Sequence, residues 1–175
     1  MIPRPELHVA DAASREQVRL DLRRIRAVQE LRAVHVAAEL GIKLGAFQRL
    51  ELTTTWTAPT VQAWSRVLDH RFLMTVEGLD APAGDADATA VVTFGARDED
   101  GQHLARVVST LVRVRKRSGL TMQDLADRLQ CTARAASDWE KDYAAKPVRS
   151  VQRYTRALGG SVGLGLTPVV VAVPS

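Results

Sequence analysis

Residue types recur along this chain at a nearly constant separation, and that recurrence constrains its fold more than any other feature. Leu111, Arg115, Leu120, Ala126, Leu129, Trp139 and Glu140 each stand 89 residues after Leu22, Arg26, Leu31, Ala37, Leu40, Leu50 and Glu51. Further on the separation becomes 90, and Val151, Gln152, Tyr154 and Leu158 follow Val61, Gln62, Trp64 and Leu68. A register held this long reads as two copies of one unit. The 175 residues then divide into two small domains, and whatever one copy folds into is built twice.

The second copy is the easier to read. Between Leu111 and Leu158, Leu111, Val114, Leu120, Leu125, Ala126 and Leu129 recur at helical spacing, and Thr121 with Asp124 three residues later marks a helix opening at Met122. A turn at Gln130 to Thr132 follows. Thr132 can cap a second helix over 133–141, with Ala136, Trp139 and Glu140 facing inward and Arg134, Ser137, Asp138 and Lys141 facing elsewhere. Two helices joined by so tight a turn form a helix-turn-helix, whose second helix can enter a major groove.

The first copy repeats the pattern. A helix over 33–40, a turn at Gly41 and Ile42, and a helix over 44–52 with Phe47 and Leu50 inward are expected. Before them, two prolines and no periodicity make 1–13 an arm, and Ser14 with Gln17 reads as the capping box of the first helix. Val18, Leu22 and Ile25 form its apolar stripe, leaving Arg15, Arg19, Arg23, Arg24 and Arg26 mostly as solvated charge.

Each copy ends in segments with strand character: 70–77 and 89–94 after the first, 162–166 and 169–173 after the second. These are expected to be hairpins, with Thr167-Pro168 turning the second, and to bring the two copies together as a continuous sheet or as strands packed between the domains, since four short apolar strands left apart would expose edges. The expected class is mainly α, with two helix-turn-helix bundles each followed by a short β-hairpin. The expected divisions are an arm at 1–13, a first domain at 14–78, an acidic linker at 79–101 with a boundary in Arg97 to Gly101, and a second domain at 102–175. Net charge along the chain is sharply uneven. Residues 1–78 carry +2, 79–101 carry −5 and 102–175 carry +7, so the C-terminal half holds most of the attraction for an anionic partner.

Both copies resemble the lambda-repressor-like, or xenobiotic-response-element-type, helix-turn-helix family of bacterial and phage regulators. The resemblance rests on VAAELGIKLGAFQRLE with Pro59 and VQAWSRVL in the first copy, and on LTMQDLADRLQCTARAASDWE with Pro147 and VQRYTRAL in the second. It implies that Arg26 pairs with Glu51 and Arg115 with Glu140, tying the first helix to the third. It also implies that DNA is met at the start and outer face of the third helix. Those positions are Lys43, Leu44, Gly45, Gln48 and Arg49 in copy one, and Thr132, Ala133, Arg134, Ser137 and Asp138 in copy two. Arg49 or Arg134 suits guanine, Gln48 suits adenine, and Leu44 or Ala133 suits a thymine methyl. Lys43, Lys141, Lys146 and Arg149 stand near helix ends, where phosphates would run. The sequence departs from the family's pattern at Ala33 and Met122, where relatives often carry a phosphate-binding glutamine, and at Gln130, which replaces the turn glycine and must accept its backbone geometry.

The expected function is that of a sequence-specific transcriptional regulator, a repressor of the phage-immunity type, whose two different recognition helices read an asymmetric operator in double-stranded DNA. The alternative is an antitoxin-type regulator that also binds a toxin protein. RNA polymerase is a further conceivable partner, and the chain is expected as a monomer or weak homodimer in the cytoplasm of a bacterial or phage-infected cell. Cys131 is the only cysteine, which excludes an intrachain disulfide and a thiolate-rich zinc site. It is expected as a buried structural thiol. Four scattered histidines lack metal-ligand spacing, and no nucleophilic triad, carboxylate pair or phosphate-cradling loop is visible. No enzyme activity, cofactor or metal is expected, and no membrane segment is indicated.

Overall fold

The computed structural model describes residues 5–79, 97–141 and 146–169, and the side chains in them outside 5–8, 97–103 and 106. Among the described residues, eight helices and two strands run in the order α1 (Pro5–Val28), α2 (Ala33–Glu39), α3 (Leu44–Leu50), α4 (Ala58–Val67), β1 (His70–Glu77), α5 (Arg97–Arg117), α6 (Met122–Leu129), α7 (Ala133–Lys141), α8 (Val148–Ala157) and β2 (Ser161–Pro168). The series of four helices and a strand occurs twice.

Local chemistry explains the helix ends. Thr121 and Asp124 close a reciprocal capping box at the start of α6, and Thr132 Oγ1 accepts from Ala135 N–H at the start of α7. Thr57 accepts from Thr60 N–H at the start of α4, where Pro59 needs no donor of its own. Gly41 ends the turn after α2 with φ +66°, and Gln130 takes the same left-handed conformation at φ 52°, as the missing glycine required.

Two expectations about element boundaries change. Helix α1 opens at Pro5 rather than Ser14: proline suits a first helical turn, and Ser14 Oγ instead donates to the Asp11 carbonyl within the helix. Helix α5 opens at Arg97, inside the segment read as a linker.

The strands also differ from the expected hairpins. β1 and β2 pair with each other, antiparallel, from His70 opposite Pro168 to Glu77 opposite Ser161. β2 runs through Thr167 and Pro168 instead of turning there. The segments 89–94 and 170–173 lie outside the described residues. The strand faces explain the pairing: Phe72, Met74 and Val162 are buried on a ladder that neither copy could cover alone. Gly160, just before β2, is required by close approach, since a Cβ there would lie 2.7 Å from the Glu77 carbonyl oxygen.

The core is aromatic in copy one and mixed in copy two. Phe47, Trp56 and Trp64 pack edge to face, with centroids 5.4 and 6.5 Å apart. In copy two, Trp139 stacks on Tyr154 at 4.3 Å. The inward placing of Trp64, Trp139 and Tyr154 is as expected, and Trp56, at 2% exposure, joins them.

Candidate nucleic-acid interface

Two short helices, α3 and α7, carry the residues expected to read DNA, and each is locked to the helix at the base of its copy. Arg26 Nε donates to Glu51 Oε1 at 2.7 Å, and its Nη1 to the Leu31 carbonyl at 2.8 Å. Arg115 repeats this: Nε and Nη2 donate to the Glu140 carboxylate at 2.6 and 3.0 Å, and Nη1 to the Leu120 carbonyl at 2.8 Å. One guanidinium thus ties the first helix, the turn after it and the end of the third helix together, using its planar fork. Tyr154 Oη also donates to Glu140. The carboxylate bond holds the Arg115 guanidinium above its ordinary pKa. Burial first, and the bond to Glu140 second, push the Tyr154 phenol well up.

With the inner face fixed, the outer face is determined by helical periodicity. Phe47 is fully buried in α3, and Lys43, Leu44, Gly45, Gln48 and Arg49 are exposed. In α7, Ala136 and Glu140 are buried, and Arg134, Asp138 and Lys141 face solvent with side-chain exposures of 92, 61 and 72%. Thr132 is exposed at the N-cap, and Ser137 is half-buried. Asp138 lies 3.8 Å from Arg134 Nε and 3.6 Å from Lys141 Nζ. It therefore sits between two cations on the face expected to meet phosphates and base edges.

Lys146 does not stand where a phosphate contact needs it. It is 4% exposed, with Nζ over the Trp139 ring at 4.7 Å from the centroid. Its apolar stem is buried and its ammonium lies over the face of the indole. Arg149 is exposed in the first turn of α8, close enough to Arg15 for its charge to act there. Cys131 is exposed, not buried, because it follows the left-handed residue of the turn and faces outward.

The structure also assembles a polar cluster that sequence reasoning missed. Arg15, expected in solvent, is 8% exposed and donates to the Gln152 side chain. Arg156 Nε lies 2.5 Å from Asp11 Oδ2, both about nine-tenths buried. Gln152 Nε2 reaches Ser14 Oγ at 3.1 Å. Burial lowers the Arg15 pKa, and neighbouring Asp11 partly opposes this. Asp11 and Arg15 stand four apart on α1, a helical pair, but the prolines before them hid the helix. Their partners lie in the other copy, so no local pattern names them. The cluster clamps α1 onto α8.

Compact helices joined by a three-residue turn, with a solvent-facing second helix, define a helix-turn-helix protein, and residues 111–164 match the Helix-turn-helix family. That match makes the chain a DNA-binding transcriptional regulator. Over 105 residues, 55% of this chain and 70% of the relative, it is 30% identical to Antitoxin HigA1 of Mycobacterium tuberculosis, in both the CDC 1551 and the H37Rv strains. The chain belongs to the family of Antitoxin HigA1 and carries a helix-turn-helix domain at residues 111–164. No solved structure matches it significantly. Among the described residues, no helix is long and apolar enough to cross a membrane.

Proposed function

We propose that this chain is a sequence-specific repressor of the phage-immunity type, built of two helix-turn-helix units in tandem, which acts by occupying its operator and blocking RNA polymerase. The observation that carries the reading is that α3 and α7 each present polar, exposed side chains while an Arg–Glu pair at the same position holds each to its own base. The backbone supports two copies independently of side chains. Left-handed conformations pair at the repeat separation, Glu30 with Gly119, Gly41 with Gln130 and Asp69 with Gly159, so each turn is made twice with different residues.

Lys43, Leu44, Gln48 and Arg49 form the reading set of the first unit, and Thr132, Arg134, Ser137 and Asp138 that of the second. Lys141 and Arg149 serve phosphates. Lys146 serves the core. Fluorescence anisotropy of the full chain against selected duplexes tests this: Arg134→Ala is expected to cost about 1 to 3 kcal/mol and relax preference at one base pair. Equal affinity for all sequences in the wild-type chain would sink the reading.

The likeness to Antitoxin HigA1 favours a second reading, in which the same fold also neutralises a toxin protein. Co-expression with a candidate toxin protein tests this. A stable stoichiometric complex supports the antitoxin role, and two independently purified species count against it.

A further inference from the structure

We infer that the two units form a pseudo-dimer about a two-fold axis, so that one chain reads an operator made of two unlike half-sites in inverted orientation, with centres one helical turn apart. This rests on the DNA-binding reading above and adds orientation, spacing and stoichiometry to it.

The axis follows from the pairing register. Met74 stands opposite Leu164 in the ladder, and these two are also equivalent in the repeat, at the separation of 90. Phe72 stands opposite Leu166 and Val76 opposite Val162, and the repeat equates Phe72 with Val162 and Val76 with Leu166. Exchanging the copies therefore returns the same pairs. The second contact between the copies behaves identically. Thr57 bridges Pro147, again equivalent residues. On either side Ala58 N–H donates to the Lys146 carbonyl at 2.9 Å and Val148 N–H to the Trp56 carbonyl at 3.1 Å, which are one bond and its image. Only a two-fold rotation maps both contacts onto themselves, and it makes the interface isologous, as in a homodimer.

A two-fold rotation preserves direction along its axis, so whichever way α3 faces along that axis, α7 faces the same way. With their reading faces along that axis, the two helices meet one side of a duplex, running in opposite senses, and inverted half-sites follow. Chain length limits the spacing. Seven residues separate Leu50 at the end of α3 from Thr57 on the axis, and six separate Lys141 from Pro147. Even fully extended these span about 25 Å and about 22 Å, which keeps the helix ends within about 50 Å. One helical turn, about 34 Å, fits within that limit and two turns, about 68 Å, do not. Side chains shorten the reach further: the Trp56 indole donates to the Leu50 carbonyl at 3.2 Å, and Lys146 sits on Trp139. Because Arg49 and Asp138 occupy equivalent positions with opposite charge, the two arms cannot be the same sequence.

Selection of bound molecules from random-sequence duplex DNA with the intact chain tests the proposal. The expected product is two different arms, inverted, one turn apart, with one chain per site by mass measurement. Inserting five base pairs between the arms is expected to reduce affinity about 100-fold or more, by turning one arm to the far side. Gln48→Ala and Arg134→Ala are each expected to lose about 10- to 100-fold on one arm only, and on opposite arms. Directly repeated arms, a spacing of two turns, or two chains on one palindrome overturn the pseudo-dimer and leave the regulator intact. Selection of no sequence at all overturns both.

Discussion

The Arg–Glu pairs show how burial decides what a residue is worth. Arg115 and Glu140 are each 9% exposed at the side chain, and Arg26 and Glu51 are 20% and 9%. Removing Glu140 strands a buried guanidinium and leaves Tyr154 without its acceptor, so Glu140→Ala is expected to destabilise by about 3 to 5 kcal/mol. Glu51→Ala should cost less, since water reaches Arg26. Thermal unfolding of both variants checks the order, and an equal cost would refute the assigned role of burial. Tyr154 supplies a pH prediction. Its phenol is held above the ordinary value of about 10, so the fold favours the protonated form. That stability is complete below about pH 10 and is lost as pH rises towards the folded-state value. With the other tyrosine of the sequence removed by Tyr143→Phe, phenolate absorbance should stay flat through the usual phenol range and rise only with unfolding.

At the scale of elements, the caps and the strands obey different rules. The α6 capping box is exposed, and the bond from Thr121 holds the Asp124 carboxyl below its ordinary pKa. Thr121→Ala is expected to cost about 1 kcal/mol, read by chemical denaturation. That box is local, lies within four residues, and was legible in the sequence. The sheet was not. Apolar strand character marked 70–77 and 162–166, but strand propensity carries no record of the partner, and a hairpin is only the nearest choice. Gly160→Ala tests the pairing that replaced it. A Cβ at 2.7 Å from the Glu77 carbonyl should force the ladder apart at that end and cost about 1 to 3 kcal/mol. An unperturbed melting temperature would show that the two strands are not held so close.

For the whole molecule, the shared sheet and the α1–α8 clamp join the copies through buried residues from both. Phe72→Ala removes a 1%-exposed side chain on β1 and is expected to cost about 3 to 5 kcal/mol. It should lower hydrogen-exchange protection in α6 and α8 as well as in α4. Loss confined to the first copy would mean that the units unfold separately.

What the sequence determined by itself was set by neighbours within a few turns of chain. The helices α2, α3, α6 and α7, the caps at Thr121 and Thr132 and the inward and outward faces of α3 and α7 follow from spacing and from the chemistry of single side chains, and the family resemblance added the backbone geometry at Gln130. The two Arg–Glu pairs came from the family resemblance, and their equal separation in both copies agrees with it. Only the tertiary structure decided the rest. Lys146 reads as a surface cation until Trp139 is seen beneath it, and Arg15 reads as solvated until Gln152 is brought to it from 137 residues away. The joining of β1 to β2 belongs to the same class. Such contacts depend on how one copy lies against the other, and that is settled by the summed burial and hydrogen bonding of two surfaces. No single stretch of chain carries that sum.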